Sequence, residues 1–185
     1  MENSTVNFQE SPFHRFRGWQ ILALLFVFIV YTLWYVGPGY FGQMTRIPGH
    51  ISLQELGFYS GTTAVDILGR LDGEGRKIKY LALILDIPYM IMQALVFEAF
   101  IAFGFRHIGP KNSKWHLLFI LPLAFLLVDF AEDSFIAITL ATGSDVTGAI
   151  AGYMTALKFI IFIPTIPISL IMVIWGLIAW RRAAK

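Results

Sequence analysis

Six ionisable side chains stand inside stretches that otherwise read as hydrocarbon. Asp86 and Glu98 lie in "YLALILDIPYMIMQALVFEAF", Asp129, Glu132 and Asp133 in "LLVDFAEDSFIAI", and Lys158 in "AGYMTALKFIIFIP". Each charge placed in a membrane span costs ~2.5–3.5 kcal/mol and normally faces the bundle interior with a partner. A carboxylic acid held in such surroundings suits general acid work, and a neighbouring carboxylate suits a base or the stabilisation of positive charge. Buried ion pairs that only fix helix register are the plainer reading of the same residues.

Spacing narrows the choice. Asp129, Glu132 and Asp133 are related as i, i+3 and i+4, which puts all three on one helix face, together with Pro122 and Ile136. Asp86 and Gln93 are seven apart and share a face with Tyr89; Lys158 shares one with Ala151, Thr155 and Thr165. At 1.5 Å of rise per residue, Asp86, Asp129 and Lys158 fall ~9, ~18 and ~15 Å below the outer boundary of their spans. Glu98 falls in the inner half and points about 120° away from Asp86, so it is left out. Four acids then face Lys158, and one or two are expected to hold a proton near neutral pH, the cluster titrating as a unit. Arg76, just ahead of the second span, would lessen the imbalance if the preceding segment folds inward. Pro88, Pro122 and Pro164 lie near these groups, each freeing a carbonyl that a cavity or partner must satisfy.

The elements that must position these residues are membrane helices. Hydrophobic residues make up 57% of the chain and charged ones only 14%, with a mean hydropathy of +0.67; soluble domains carry about a quarter charged residues. Spans of about 20 residues are needed to cross hydrocarbon, and four segments qualify: 18–36, 80–105, 115–141 and 148–180. The expected fold is an all-α membrane protein, a four-transmembrane-helix bundle forming a single integral domain over 1–185. The first span reads as an uncleaved signal anchor, since its apolar run exceeds a signal-peptide core and no small-x-small site follows. Trp19, Trp34, Trp115 and Trp180 at span ends suit the interfaces.

Residues 37–79 are too many for a structureless loop. Ser52-x-x-Glu55 and Thr63-x-x-Asp66 read as capping boxes, so two short amphipathic helices are expected on the outer face, with "LDGEGR" turning into the second span. Arg15 and Arg17, then Arg106, Lys111 and Lys114, then Arg181, Arg182 and Lys185 place three basic regions on one side. By the positive-inside rule both termini are expected in the cytoplasm.

Other chemistry is excluded or weak. There is no cysteine, and the four histidines (His14, His50, His107, His116) lie outside the spans or, for His116, at the very start of one, so no metal site and no cofactor is expected. The net charge of +2 is spread along the chain and suggests no nucleic acid. Gly148-x-x-x-Gly152 reads as a close-packing ladder.

The run "LGRLDGEGRKIKYLALILDIPY", followed by "DFAED" and a lysine in the last span, resembles a group of small four-span membrane proteins. Their pattern is G-R-x-x-Y before the second span, an Asp within it, D-x-x-E-N in the third and Lys in the fourth. The resemblance spans about residues 60–160 and marks Gly75, Arg76, Tyr80, Asp86, Asp129, Glu132 and Lys158. Asp133 departs from it, standing where the group has Asn. A looser likeness, of architecture alone, is to EXPERA-type proteins, which include sterol isomerases; fold likeness does not transfer function.

The expected function is a membrane-embedded enzyme acting on a lipid-like or isoprenoid substrate by carboxylate acid–base chemistry, of isomerase or cyclase type. Asp129 or Glu132 would donate a proton and Asp86 would stabilise charge or take a proton back. Lys158, Arg76, Asp133, Tyr89 and Gln93 would bind substrate or tune the acids, and Phe97, Phe125, Phe130, Phe135 and Phe162 would form an aromatic wall. The partners expected are membrane lipids and a hydrophobic small molecule. A cation, amine or proton-coupled binding or transport protein is the alternative, which four spans without repeat would serve only as a homo-oligomer. A structural or accessory subunit is the third.

Overall fold

A computed structural model describes residues 18–47, 52–108 and 113–183. Every regular element among them is helical: α1 (Gly18–Val36), α2 (Tyr40–Met44), α3 (Gly61–Gly69), α4 (Gly73–Ile108), α5 (Ile120–Thr142) and α6 (Asp145–Ala183), with 3₁₀ turns at Leu53–Leu56 and Ser113–Phe119. Three stretches are long and apolar enough to cross a membrane: Gly18–Met44, Gly73–Ile108 and Asp145–Ala183. They mark an integral membrane protein. α5 is 23 residues long, but every stretch of span length within it contains Asp129, Glu132 and Asp133.

α5 and α6 pack together most extensively, α4 lies against both, and α1 lies along α4. Chain direction alternates through α1, α4, α5 and α6. Tyr31 and Tyr35 on α1 donate to the carbonyls of Leu85 and Ala82 on α4 at 2.7 and 3.1 Å. Lys158 on α6 reaches Asp129, and Thr147 meets Thr139 at 2.8 Å, so the α5–α6 hairpin is antiparallel. Its turn is tight because Gly143 takes φ 66° at the C-cap, a left-handed conformation that costs glycine little.

Two local features differ from expectation. "LDGEGR" does not form a turn. Asp72 accepts a hydrogen bond from the Gly75 amide at 2.7 Å and so caps α4, which begins at Gly73 and runs for 36 residues. The segment before it holds α2 and α3, and of the two expected capping-box helices only the second, at α3, is an α-helix. α3 is capped by Ser60, whose hydroxyl accepts from the Thr63 amide at 3.1 Å, while Ser52 precedes only the 3₁₀ turn.

The small-residue ladder of α6 serves this cap segment. A side chain at Gly148 would meet Gly61 and Ala64 of α3, and one at Gly152 would strike the carbonyl of Tyr59. Residues 59–71 thus settle on the C-terminal end of α5 and the N-terminal end of α6, where Tyr59, Ala64, Leu68 and Leu71 join Ala82, Leu83, Ile136, Leu140 and Ala151 in one apolar core.

Candidate functional site

Beneath that core the polar residues converge. Glu132, with no solvent exposure, forms an ion pair with Lys158 through Oε2 and lies 2.7 Å from the Thr155 hydroxyl through Oε1. Lys158 also donates to Asp129 Oδ1 at 3.0 Å. One ammonium therefore bridges two carboxylates one helical turn apart on α5, an arrangement that i, i+3 spacing makes available. Asp86 and Asp133 are electrostatic neighbours across α4 and α5. Neither oxygen of Asp133 has a donor among the described residues.

Lys79 completes the cluster. It is buried and lies among Asp133, Asp86 and Glu132, though it makes no ion pair within 4.0 Å among the described residues. Expectation puts Lys79 in the loop ahead of a span starting at residue 80. Because Asp72 starts α4 early, Lys79 instead sits two helical turns before Asp86 on the same face. Lys79, Asp86 and Gln93 form one line at seven-residue spacing, so the rule that groups Asp86 with Gln93 identifies Lys79 once the helix start is known.

Tyr59 is another residue that sequence reading misses. Brought in by the close approach at Gly152, its hydroxyl lies 3.3 Å from Thr155 Oγ1, which is also 3.1 Å from the Ala151 carbonyl. Thr155 has one proton to donate, so Tyr59, Thr155 and Glu132 form a short chain of polar groups from the cap to the cluster. Burial pushes the Tyr59 phenol above its ordinary value of 10.0.

A cleft of about 230 Å³ opens on one side of the cluster. Asp86, Asp129, Lys158 and Gln93 supply its polar lining, and Tyr35, Phe41, Tyr89, Phe125, Phe159 and Phe162 its aromatic walls. Tyr35 stacks on Tyr89 with centroids 5.4 Å apart, and Phe125 on Phe162 at 5.0 Å. Glu132 and Asp133 do not line the cleft. They stand behind Lys158 and Asp86.

Several expected participants lie elsewhere. Arg76 turns toward backbone: its Nε donates to the Leu71 carbonyl at 3.3 Å and its Nη1 to the Leu140 carbonyl at 3.4 Å. It thus satisfies the Leu71 carbonyl ahead of α4 and one free carbonyl near the end of α5, and borders a separate cavity with Thr139 and Gly143. Phe97 packs against Phe125 and Phe162 from behind, Phe130 is half exposed on the outer surface, and Phe135 packs against the cap core. Glu98 is buried apart from the cleft, its Oε2 without a donor among the described residues.

Comparison with protein-family models, curated proteins and solved structures finds no match. No group of His, Cys, Asp and Glu among the described residues is arranged to hold a metal ion.

The site divides by chemistry. Lys158 pairs with both Asp129 and Glu132, one positive charge against two carboxylates. Asp86 and Asp133 have no cation within ion-pair distance among the described residues. The cleft presents Asp86, without such a partner, and the ion-paired Asp129 side by side.

Proposed function

We propose that the chain is a membrane-embedded acid–base enzyme acting on a lipid-like or isoprenoid substrate, of the isomerase or cyclase type. The observation that carries this reading is the cleft itself: Asp86 and Asp129 line it together, from different helices, between aromatic rings. The roles differ from those read in the sequence. Glu132 is sealed behind Lys158 and touches no substrate, and Asp129 is committed to its ion pair. Asp86 is the proton donor. In this reading the neighbouring acids Asp86 and Asp133, which lack a paired cation, hold one proton between them; it passes through Asp86 to one carbon of a double bond, and the adjacent carbon becomes cationic between Tyr35, Tyr89 and Phe162. Asp129 removes a proton from a neighbouring carbon and the double bond re-forms one position along. One proton enters and one leaves, so the reaction needs no co-reactant.

The same reading makes α5 a fourth crossing. Its acids face α4 and α6, and Leu123, Leu127 and Phe130 face outward, as a span facing lipid requires. The end carrying Arg106, Arg181 and Arg182 is the cytoplasmic one; Arg15, Arg17, Lys111 and Lys185, which also enter that argument, lie outside the described residues. The likeness to small four-span proteins agrees with this architecture and suggests no reaction. A purely structural cluster would be expected to close around its ion pairs and leave no aromatic cleft.

A second reading rests on one feature. The four acids and two lysines carry a formal charge of −2 if all are ionised, and that surplus beside aromatic rings suits an amine or other cation. Mass spectrometry of the lipid and small-molecule extract of purified protein separates the two. A hydrophobic neutral ligand retained by wild type and reduced in Asp86→Asn supports the enzyme. A retained amine supports the binding protein, and no specific ligand in either overturns both.

A further inference from the structure

Another cavity among the described residues is remote from the carboxylates. A groove of about 500 Å³ lies at the opposite end, bounded by Gly18, Ile21, Leu22 and Leu25 of α1, Phe100, Phe103, Arg106 and His107 of α4, and Val173, Leu177 and Trp180 of α6. It exists because α1 packs along α4 and hardly touches α6, leaving a furrow over the last turns of α4. Asp86 and Arg106 are 20 residues apart on one helix, ~30 Å, so this groove and the cleft are distinct.

Its lining is graded along the helix axes. Arg106, His107 and Trp180 sit at the helix ends, at the level of a membrane interface. Leu25, Phe100 and Val173 lie about one and a half turns or more deeper, at the level of acyl chains. Among the described residues the charge at this end is basic: Arg181 and Arg182 follow Trp180 at the end of α6, and the nearest acid along α4 is the buried Glu98, about two turns before Arg106. A basic rim above an apolar furrow that opens to lipid matches an amphiphile with an anionic head and hydrocarbon tails.

We propose that the α1/α4/α6 groove holds an anionic phospholipid, its phosphate at Arg106 and His107 and its acyl chains along Leu22, Leu25, Phe100 and Val173. The lipid fills the gap that α1 leaves against α6 and so ties α1 to the bundle. This inference does not depend on the proposed reaction, and its test involves no catalytic readout.

The test is native mass spectrometry of the full chain released from nanodiscs containing equal amounts of phosphatidylglycerol and phosphatidylcholine. Wild type is expected to retain phosphatidylglycerol over phosphatidylcholine by about fivefold for each basic residue engaged. Arg106→Gln with His107→Gln is expected to abolish that preference while acyl binding persists. Leu22→Trp, at a position already facing lipid, is expected to obstruct the furrow and reduce retention of both lipids. Arg70→Gln, at the far end in an exposed pair with Asp66, is the control and is expected to match wild type. Equal retention of the two lipids by wild type, or a preference that survives removal of Arg106 and His107 in protein that elutes as wild type does, would overturn the proposal.

Discussion

Replacing Lys158 with methionine tests how the buried charges are balanced. The ammonium lies 3.0 Å from Asp129 and pairs also with Glu132, while the Lys158, Asp129 and Glu132 side chains are 12%, 7% and 0% exposed. At an effective dielectric of ~20, one such contact at that distance is worth roughly 5 kcal/mol of attraction. Desolvation cancels part of it, and breaking a buried pair by removing one partner costs ~3–5 kcal/mol because a charge is left uncompensated. Lys158→Met is therefore expected to destabilise the protein by ~3–5 kcal/mol, read from reversible unfolding in mixed micelles of rising dodecyl sulfate content. The partners should differ in rescue. Glu132 has no contact with water, so Glu132→Gln in the Lys158→Met background is expected to recover more than Asp129→Asn, whose carboxylate borders the cleft. A Lys158→Met loss below ~1 kcal/mol, typical of a surface pair, or strictly additive double variants, would refute the reasoning.

Other consequences follow from the same geometry. Asp133→Asn is expected to be neutral or stabilising in the same unfolding assay, since an amide gives Asp86 a donor and removes an unpaired buried oxygen; a loss above ~2 kcal/mol would show that the charge of Asp133 is needed. Gly152→Leu should drive the Tyr59 carbonyl away and open the cap, costing ~1–3 kcal/mol and exposing residues 59–71 to limited proteolysis. Because burial raises the Tyr59 phenol above 10.0, the unfolded chain loses that proton first as pH rises. Stability is thus expected to fall as pH climbs above about 10, and this component should be absent in Tyr59→Phe. Arg76→Gln should loosen the cap and the end of α5 while leaving ligand retention at the cleft unchanged, since its donors reach only backbone.

Much of this arrangement was legible in the residues themselves. The i, i+3, i+4 acids of α5 and the seven-residue line from Asp86 to Gln93 encode their faces directly, because helical periodicity is local. What escaped depended on where helices begin and on contacts between distant segments. Lys79 looked like a loop residue because two glycines flank Glu74. Asp72 overrides them by satisfying the Gly75 amide and carrying the helix outward by seven residues. Tyr59 enters the site through a contact between its own carbonyl and Gly152, 93 positions away, and no spacing rule links those two residues. Arg76 followed the same logic in reverse: its charge suggested the carboxylates, yet the carbonyls of Leu71 and Leu140 were nearer and unsatisfied. Tyr35 was overlooked because span-end aromatics are so common in membrane helices.

The most direct measurement of the acid–base proposal needs no known substrate. Membranes containing the protein are incubated in deuterium oxide, and extracted lipids are screened by mass spectrometry for carbon-bound deuterium. Protonation of a double bond at the cleft predicts one neutral, isoprenoid-like species gaining a single deuterium with wild type and none with Asp86→Asn, while Tyr59→Phe retains the exchange. Deuterium gain identical in wild type and Asp86→Asn, or absent from both, would contradict a proton-donating role for Asp86.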